Sequence, residues 1–139
     1  MANDDTYQHR LDFARITPED TALLRQIWPR IAPALPRILT AFYAHILAAM
    51  IGTHESRLQG AQSRHWNMLF TSGFSQDYFD NALRIGQTHH RIGLEPRWYI
   101  AGYQFVLDEL TATLTAAYRF KPKALTRALI AVNKAVFLD

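Results

Sequence analysis

The sequence predicts an all-α domain, and three observations predict it. Apolar residues recur at spacings of three and four through most of the chain, the period of a helix with one buried face. Cap and proline signals stand where such stretches begin, as in TPED at Thr17 to Asp20 and KPK at 121–123. No stretch of any length alternates between apolar and polar residues, so no strand is expected. At 139 residues the chain is one domain, and 49% apolar residues exclude disorder. The absence of cysteine excludes disulfides, thiolate ligation of a metal and covalent attachment of a cofactor through C-x-x-C-H. No apolar run reaches the length of a membrane span, and the start lacks a signal-peptide pattern, so a cytoplasmic protein is expected. The net charge is +3 with scattered Lys and Arg, which argues against nucleic acid as a partner.

The elements follow in order. A polar start leads into a short packing helix carrying Leu11, Phe13 and Ile16. Thr17 caps the next helix, with Pro18 at its first position and two acids near its positive end. Pro29, Pro33 and Pro36 then interrupt one long helical pattern and predict two helices with a kink between them. The second of these, about 35–49, carries the stripe Leu35, Ile38, Leu39, Phe42 and Ile46, and Tyr43 also faces inward. On spacing alone its hydroxyl would bond a backbone carbonyl. After a short connection at 51–55, a helix at about 55–70 carries Leu58, Ala61, His65, Met68 and Leu69 on one side. Gly73 and Ser75 mark a turn and a cap. The helix after them bears the stripe Tyr78, Ala82, Ile85, His89 and Ile92, read as a core-facing stripe. Gly93 suits a left-handed cap, and Pro96 opens a helix of about 96–118 with a stripe of Tyr99, Tyr103, Val106 and Leu110. The last helix starts at Pro122 and carries Leu125, Leu129, Val132 and Val136, with Ala124, Ala128, Ala131, Ala135 and Phe137 beside them.

A histidine within an apolar stripe must be hydrogen-bonded, bind something or cost stability. Most half-buried histidines are simply satisfied, and periodicity alone does not separate His89 from His90, whose own stripe holds Phe79, Leu83 and Gly86. The run H-x-R-I-G-L-x-P-R-W-Y from His89 to Tyr99 resembles the F–G corner of the haem-binding domain of bacterial globin-coupled sensors, which are related to protoglobins. AFY at 41–43 resembles their B helix, and L-x-x-A-x-x-R-H at Leu58 to His65 resembles their distal E helix.

The resemblance implies a globin fold of the sensor type, with an extra N-terminal helical segment, kinked A and B helices and a shortened or absent D helix. It implies noncovalent haem b with His89 as the axial metal ligand and Tyr43 as the hydroxyl that meets a bound O2, CO or NO. Gln62 is a second candidate donor. Phe42, Leu58, Ala61, Trp66, Ile92, Tyr99 and Tyr103 are the remaining expected cofactor-binding residues. His65, seven residues beyond Leu58 and roughly 10 Å along a helix, is too far away to be a ligand if Leu58 lies over the iron. His45 and His54 read as surface residues, and His9 lies in the ragged start.

The expected function is a haem-based gas sensor that signals to a fused output domain, such as a diguanylate cyclase, a histidine kinase or a chemotaxis transducer. The last helix is then expected to continue beyond Asp139. Its alanines and Phe137 look surplus to one core, which suggests a homodimer built on the last two helices. The domain itself is not expected to be an enzyme. It has no triad, phosphate loop, H-E-x-x-H motif or paired carboxylates, and Asp108 and Glu109 read as surface charges. Two other readings are a stand-alone protoglobin-like globin doing O2, NO or peroxide chemistry, and a globin-like interaction module without haem. The presence of both His89 and Tyr43 speaks against the last.

Overall fold

Among the described residues there are seven helices: α1 Ala2–Phe13, α2 Pro18–Ile31, α3 Leu35–Ala49, α4 Glu55–Thr71, α5 Gln76–Arg91, α6 Pro96–Ala117 and α7 Pro122–Leu138. The computed structural model describes residues 2–49, 55–93 and 95–139, with side chains described for 6–45, 60–93 and 95–139. The all-α expectation holds, and among the described residues there is no strand.

Local chemistry sets the boundaries. Thr17 and Asp20 form a reciprocal capping box, in which each side chain satisfies the other's backbone N–H. The prolines expected to kink the second helix act unequally. Pro29 is accommodated within α2, and the break falls at 32–34, between α2 and α3. Ser75 caps α5 by accepting from the Tyr78 N–H at 3.3 Å. Gly93 takes φ +73° just beyond α5, which turns the chain toward Pro96 at the start of α6.

The core gathers one face from each of five helices, and Tyr78 and Phe79 at the start of α5 join it. Leu24, Ile27 and Ile31 of α2 meet Ile38 and Leu39 of α3, Leu69 and Phe70 of α4, Leu110 and Leu114 of α6, and Val132 of α7. Each such side chain, fully buried, contributes about 1.5–3 kcal/mol of transfer free energy. α2 packs on α4, α6 and α7, while α3 packs on α4 and α6. Two ties fasten the ends of the chain. Lys134 of α7 reaches Asp20 at 2.9 Å and the Arg15 carbonyl at 2.8 Å. Arg10 of α1 donates to the Leu138 carbonyl at 2.7 Å, and Tyr7 stacks on Phe79 with centroids 4.2 Å apart.

α5 is the exception to close packing. Tyr78 and Phe79 at its start are buried, but its later residues become progressively exposed, ending with His90 and Arg91. The stripe expected to face the core therefore faces it only at its beginning. α7 departs from expectation in the opposite direction. Ala128, Ala131 and Ala135 are fully buried in the chain's own core, so this alanine face is not surplus to it. The small side chains let α7 lie close against its neighbours α2 and α6.

Candidate functional site

Where α5 leaves the core, a cleft of about 630 Å³ opens between it and α6, within the range of small-molecule sites. Ala82, Ile85, Gly86 and His89 line one side. Tyr99, Ile100, Tyr103 and Leu107 of α6 line the other, and Val136, Phe137 and Asp139 are contributed by the end of α7. The Gly86 position is open, with nothing within 4 Å of where a Cβ would stand. Apolar side chains around the cleft remain exposed, among them Ile100 at 60% and Phe137 at 79%. That is apolar surface which a flat apolar ligand would cover.

His89 is half-buried in this cleft, and its ring stacks on Tyr99 with centroids 5.6 Å apart and planes 15° from parallel. Neither ring nitrogen has a hydrogen-bond partner among the described residues. Burial lowers its pKa, and the negative charge of Asp139 opposes that shift without reversing it. The imidazole is thus neutral near pH 7, with a lone pair available to a metal. His90, its neighbour, is exposed although it too borders the cleft.

The other expected site residues separate into groups. Tyr99 and Tyr103 share the cleft with His89. Trp66 is buried and meets Tyr103 edge-on at 6.3 Å. Tyr43 and Phe42 are not among the described residues lining the cleft. They form their own cluster, with rings edge-on at 5.2 Å, and Phe42 also packs on Phe105 and over Gly102 of α6. Among the described residues, the Gln62 side chain is the hydrogen-bonding group that acts on the Tyr43 hydroxyl. Burial pushes its pKa up to about 12, with the Gln62 bond acting the other way, so it remains a protonated donor at neutral pH.

Two expected wall residues are not enclosed. Ile92 is 65% exposed, because it caps α5 with non-helical dihedrals and so leaves the stripe. Ala61 is exposed, one turn before the buried His65, where nothing among the described residues closes over it. Leu58 lies on α4, but its side chain is outside the described residues, as is the whole of His54.

The sequence reasoning missed one cluster altogether. His65, set aside as a ligand, is buried with its Nε2 2.7 Å from Asp139 Oδ1, while Asn81 Nδ2 reaches its Nδ1 at 2.9 Å. The hydroxyls of Tyr78 and Tyr103 also donate to the Asp139 carboxylate. Three helices, α4, α5 and α6, thus meet at one anion that caps the end of α7. The inward position of His65 on α4 was the only signal for it.

With this geometry in view, two comparisons bear on the site. A family model described as Protoglobin matches residues 3–139. Among solved structures, the globin domain of the Geobacter sulfurreducens globin-coupled sensor superimposes with a TM-score of 0.82 at 20% sequence identity, covering 94% of this chain and 90% of that one. At that identity the likeness is one of fold, and the fold is a globin fold.

Proposed function

The chain belongs to the protoglobin family, and from that premise we propose that it is a haem-based gas-sensing domain with His89 as the axial ligand. The observation that carries this reading is the free, neutral imidazole of His89 in a cleft with largely apolar walls. Haem is the group that a globin holds, and the residues present fit it. The cleft offers aromatic and aliphatic walls, an open glycine position and a nitrogen donor. With no cysteine in the chain, attachment is noncovalent and haem b is the form proposed. When bound, haem supplies an iron whose sixth position takes a diatomic gas.

The chain's own residues divide the remaining work. Tyr99 stacks on the His89 ring and fixes its plane. Ala82, Ile85, Leu107 and Val136 exclude water from the cleft. Tyr43 is the hydroxyl proposed to donate to a gas ligand, with the Gln62 amide holding its oxygen. No described helix is long and apolar enough to cross a membrane, in keeping with a proposed cytoplasmic sensor that has no catalysis of its own. It would act as a homodimer through α6 and α7 and signal to an output domain.

The absorption spectrum of the purified chain tests the assignment. Wild type is expected to show a Soret band, and His89→Ala to abolish it or leave a weak, displaced one. If His90→Ala removes the band and His89→Ala does not, the ligand is the neighbour.

A further inference from the structure

The gas-binding reading leaves one end of the molecule unused, where α6 turns into α7 at the opposite ends of both helices from the cleft. The Arg30 guanidinium lies over the Tyr118 ring at 5.1 Å, which brings the end of α2 to that turn. Cations that look scattered in the sequence gather here. Arg119, Lys121 and Lys123 follow Tyr118 directly, and these three and Arg30 are all exposed. No acid answers them. The sequence holds no Asp or Glu from 110 to 138, nor from 21 to 54. Glu109, the next acid along the chain, is already paired with Arg37 at 3.2 Å. None of the four cations makes an ion pair among the described residues.

The turn holds an apolar tip outward. Tyr118 is buried and anchors one side, and the Lys121 N–H donates to its carbonyl at 2.9 Å. Pro122 sets the start of α7 on the other side. Between them Phe120 is 84% exposed, with the Arg119 guanidinium 4.8 Å from its ring centroid. Helix stability does not account for the charge. Lys123 lies in the first turn of α7, where a cation opposes the helix dipole, and no acid in that turn offsets it.

We propose that this end of the molecule docks on an anionic phospholipid bilayer, with Phe120 entering the interface and Arg30, Arg119, Lys121 and Lys123 meeting the headgroups around it. Charge complementarity carries the choice of partner. Each Lys or Arg near an anionic leaflet adds attraction, and an apolar side chain among them is a second signal, so the contact is reversible but specific for charge. Long apolar stems let the cations stay at headgroup level while the ring goes deeper. Single-stranded nucleic acid fits less well, because it stacks on successive aromatic faces. Here the neighbouring ring, Tyr118, is buried and lies under Arg30. No described helix is long and apolar enough to cross a membrane, so the contact is peripheral. It stands apart from the haem reading.

Flotation of the full chain with vesicles tests this, with circular dichroism to establish folding. One set of vesicles is phosphatidylcholine alone, and the other is phosphatidylcholine mixed with phosphatidylserine. Wild type is expected to float with the mixed vesicles only, and to be released at about 1 M salt, where charges are screened within about 3 Å. Lys121→Ser combined with Lys123→Ser should weaken partitioning about 25-fold, at about five-fold per charge. Phe120→Ser should weaken it about ten-fold. The two variants are separate tests, so either one decides should the other fail to fold. Equal binding to both kinds of vesicle, or a folded variant that partitions as wild type does, overturns the proposal. Tighter binding to a single-stranded oligonucleotide than to the mixed vesicles at the same salt also overturns it and makes nucleic acid the partner.

Discussion

Tyr43 has its hydroxyl buried beside the Gln62 side chain, and that placement sets what its removal does. Tyr43→Phe keeps the ring and its contact with Phe42 but deletes the donor. Losing one hydrogen bond of about 1 kcal/mol speeds O2 dissociation from the haem-loaded chain roughly five-fold, and CO dissociation less. Stopped-flow measurement of both gases checks this, and an unchanged O2 rate passes the role to Gln62. Asp139 makes a prediction of a different kind. Its folded pKa lies below the ordinary 3.8, so its contribution to stability is fully present above that value and is lost as pH falls through the lower folded value. Urea midpoints of wild type and Asp139→Asn, followed from about pH 6 to about pH 2, should therefore converge toward the acid end. Tyr43 was legible as an inward residue because it sits on the apolar face of its own helix. The Asp139 cluster was not, since His65 and Asp139 are 74 positions apart. A histidine on an apolar stripe looks the same in sequence whether it meets a cofactor or a carboxylate.

The helices themselves were read closely from the sequence. Caps and starting prolines are local chemistry; α4 and α6 begin and end within a residue or two of expectation, and α7 begins at the expected proline. Which face of a helix meets what is not local, and there the reading failed. The α7 alanines were assigned to a partner and lie instead in the chain's own core. Small residues mark close approach without naming the neighbour. Gly102 of α6 is a case with a measurable consequence. A Cβ there would stand 2.9 Å from the Phe42 ring. Alanine is favoured over glycine in a helix by about 1 kcal/mol, but overpacking a core costs about 1–3 kcal/mol. Gly102→Ala should therefore destabilise the protein in urea unfolding. Pairing it with Phe42→Leu should recover part of the loss, a coupling that two independent sites would not show.

For the whole molecule, the apolar surface left over is smaller than the sequence suggested but still organised. Ile130 is 49% exposed on a face of α7 outside the cleft, whose lining takes Phe137. A homodimer through this face predicts a dimer mass for wild type in sedimentation at micromolar concentration, and a monomer for Ile130→Glu. A wild-type monomer would sink the proposal. The graded burial of α5 also acts over time. Its first turn is anchored by Tyr78 and Phe79, while beyond Leu83 most of its side chains face solvent and its inner flank borders the cleft. Helical hydrogen bonds with so little packed over them open by local fluctuation at far less than the cost of global unfolding. In heavy water the amides of the last two turns of α5 would exchange early and those of its first turn late. A ligand seated on His89 would close that gap, so the deuterium clock of a single helix becomes a gauge of whether the cleft is filled.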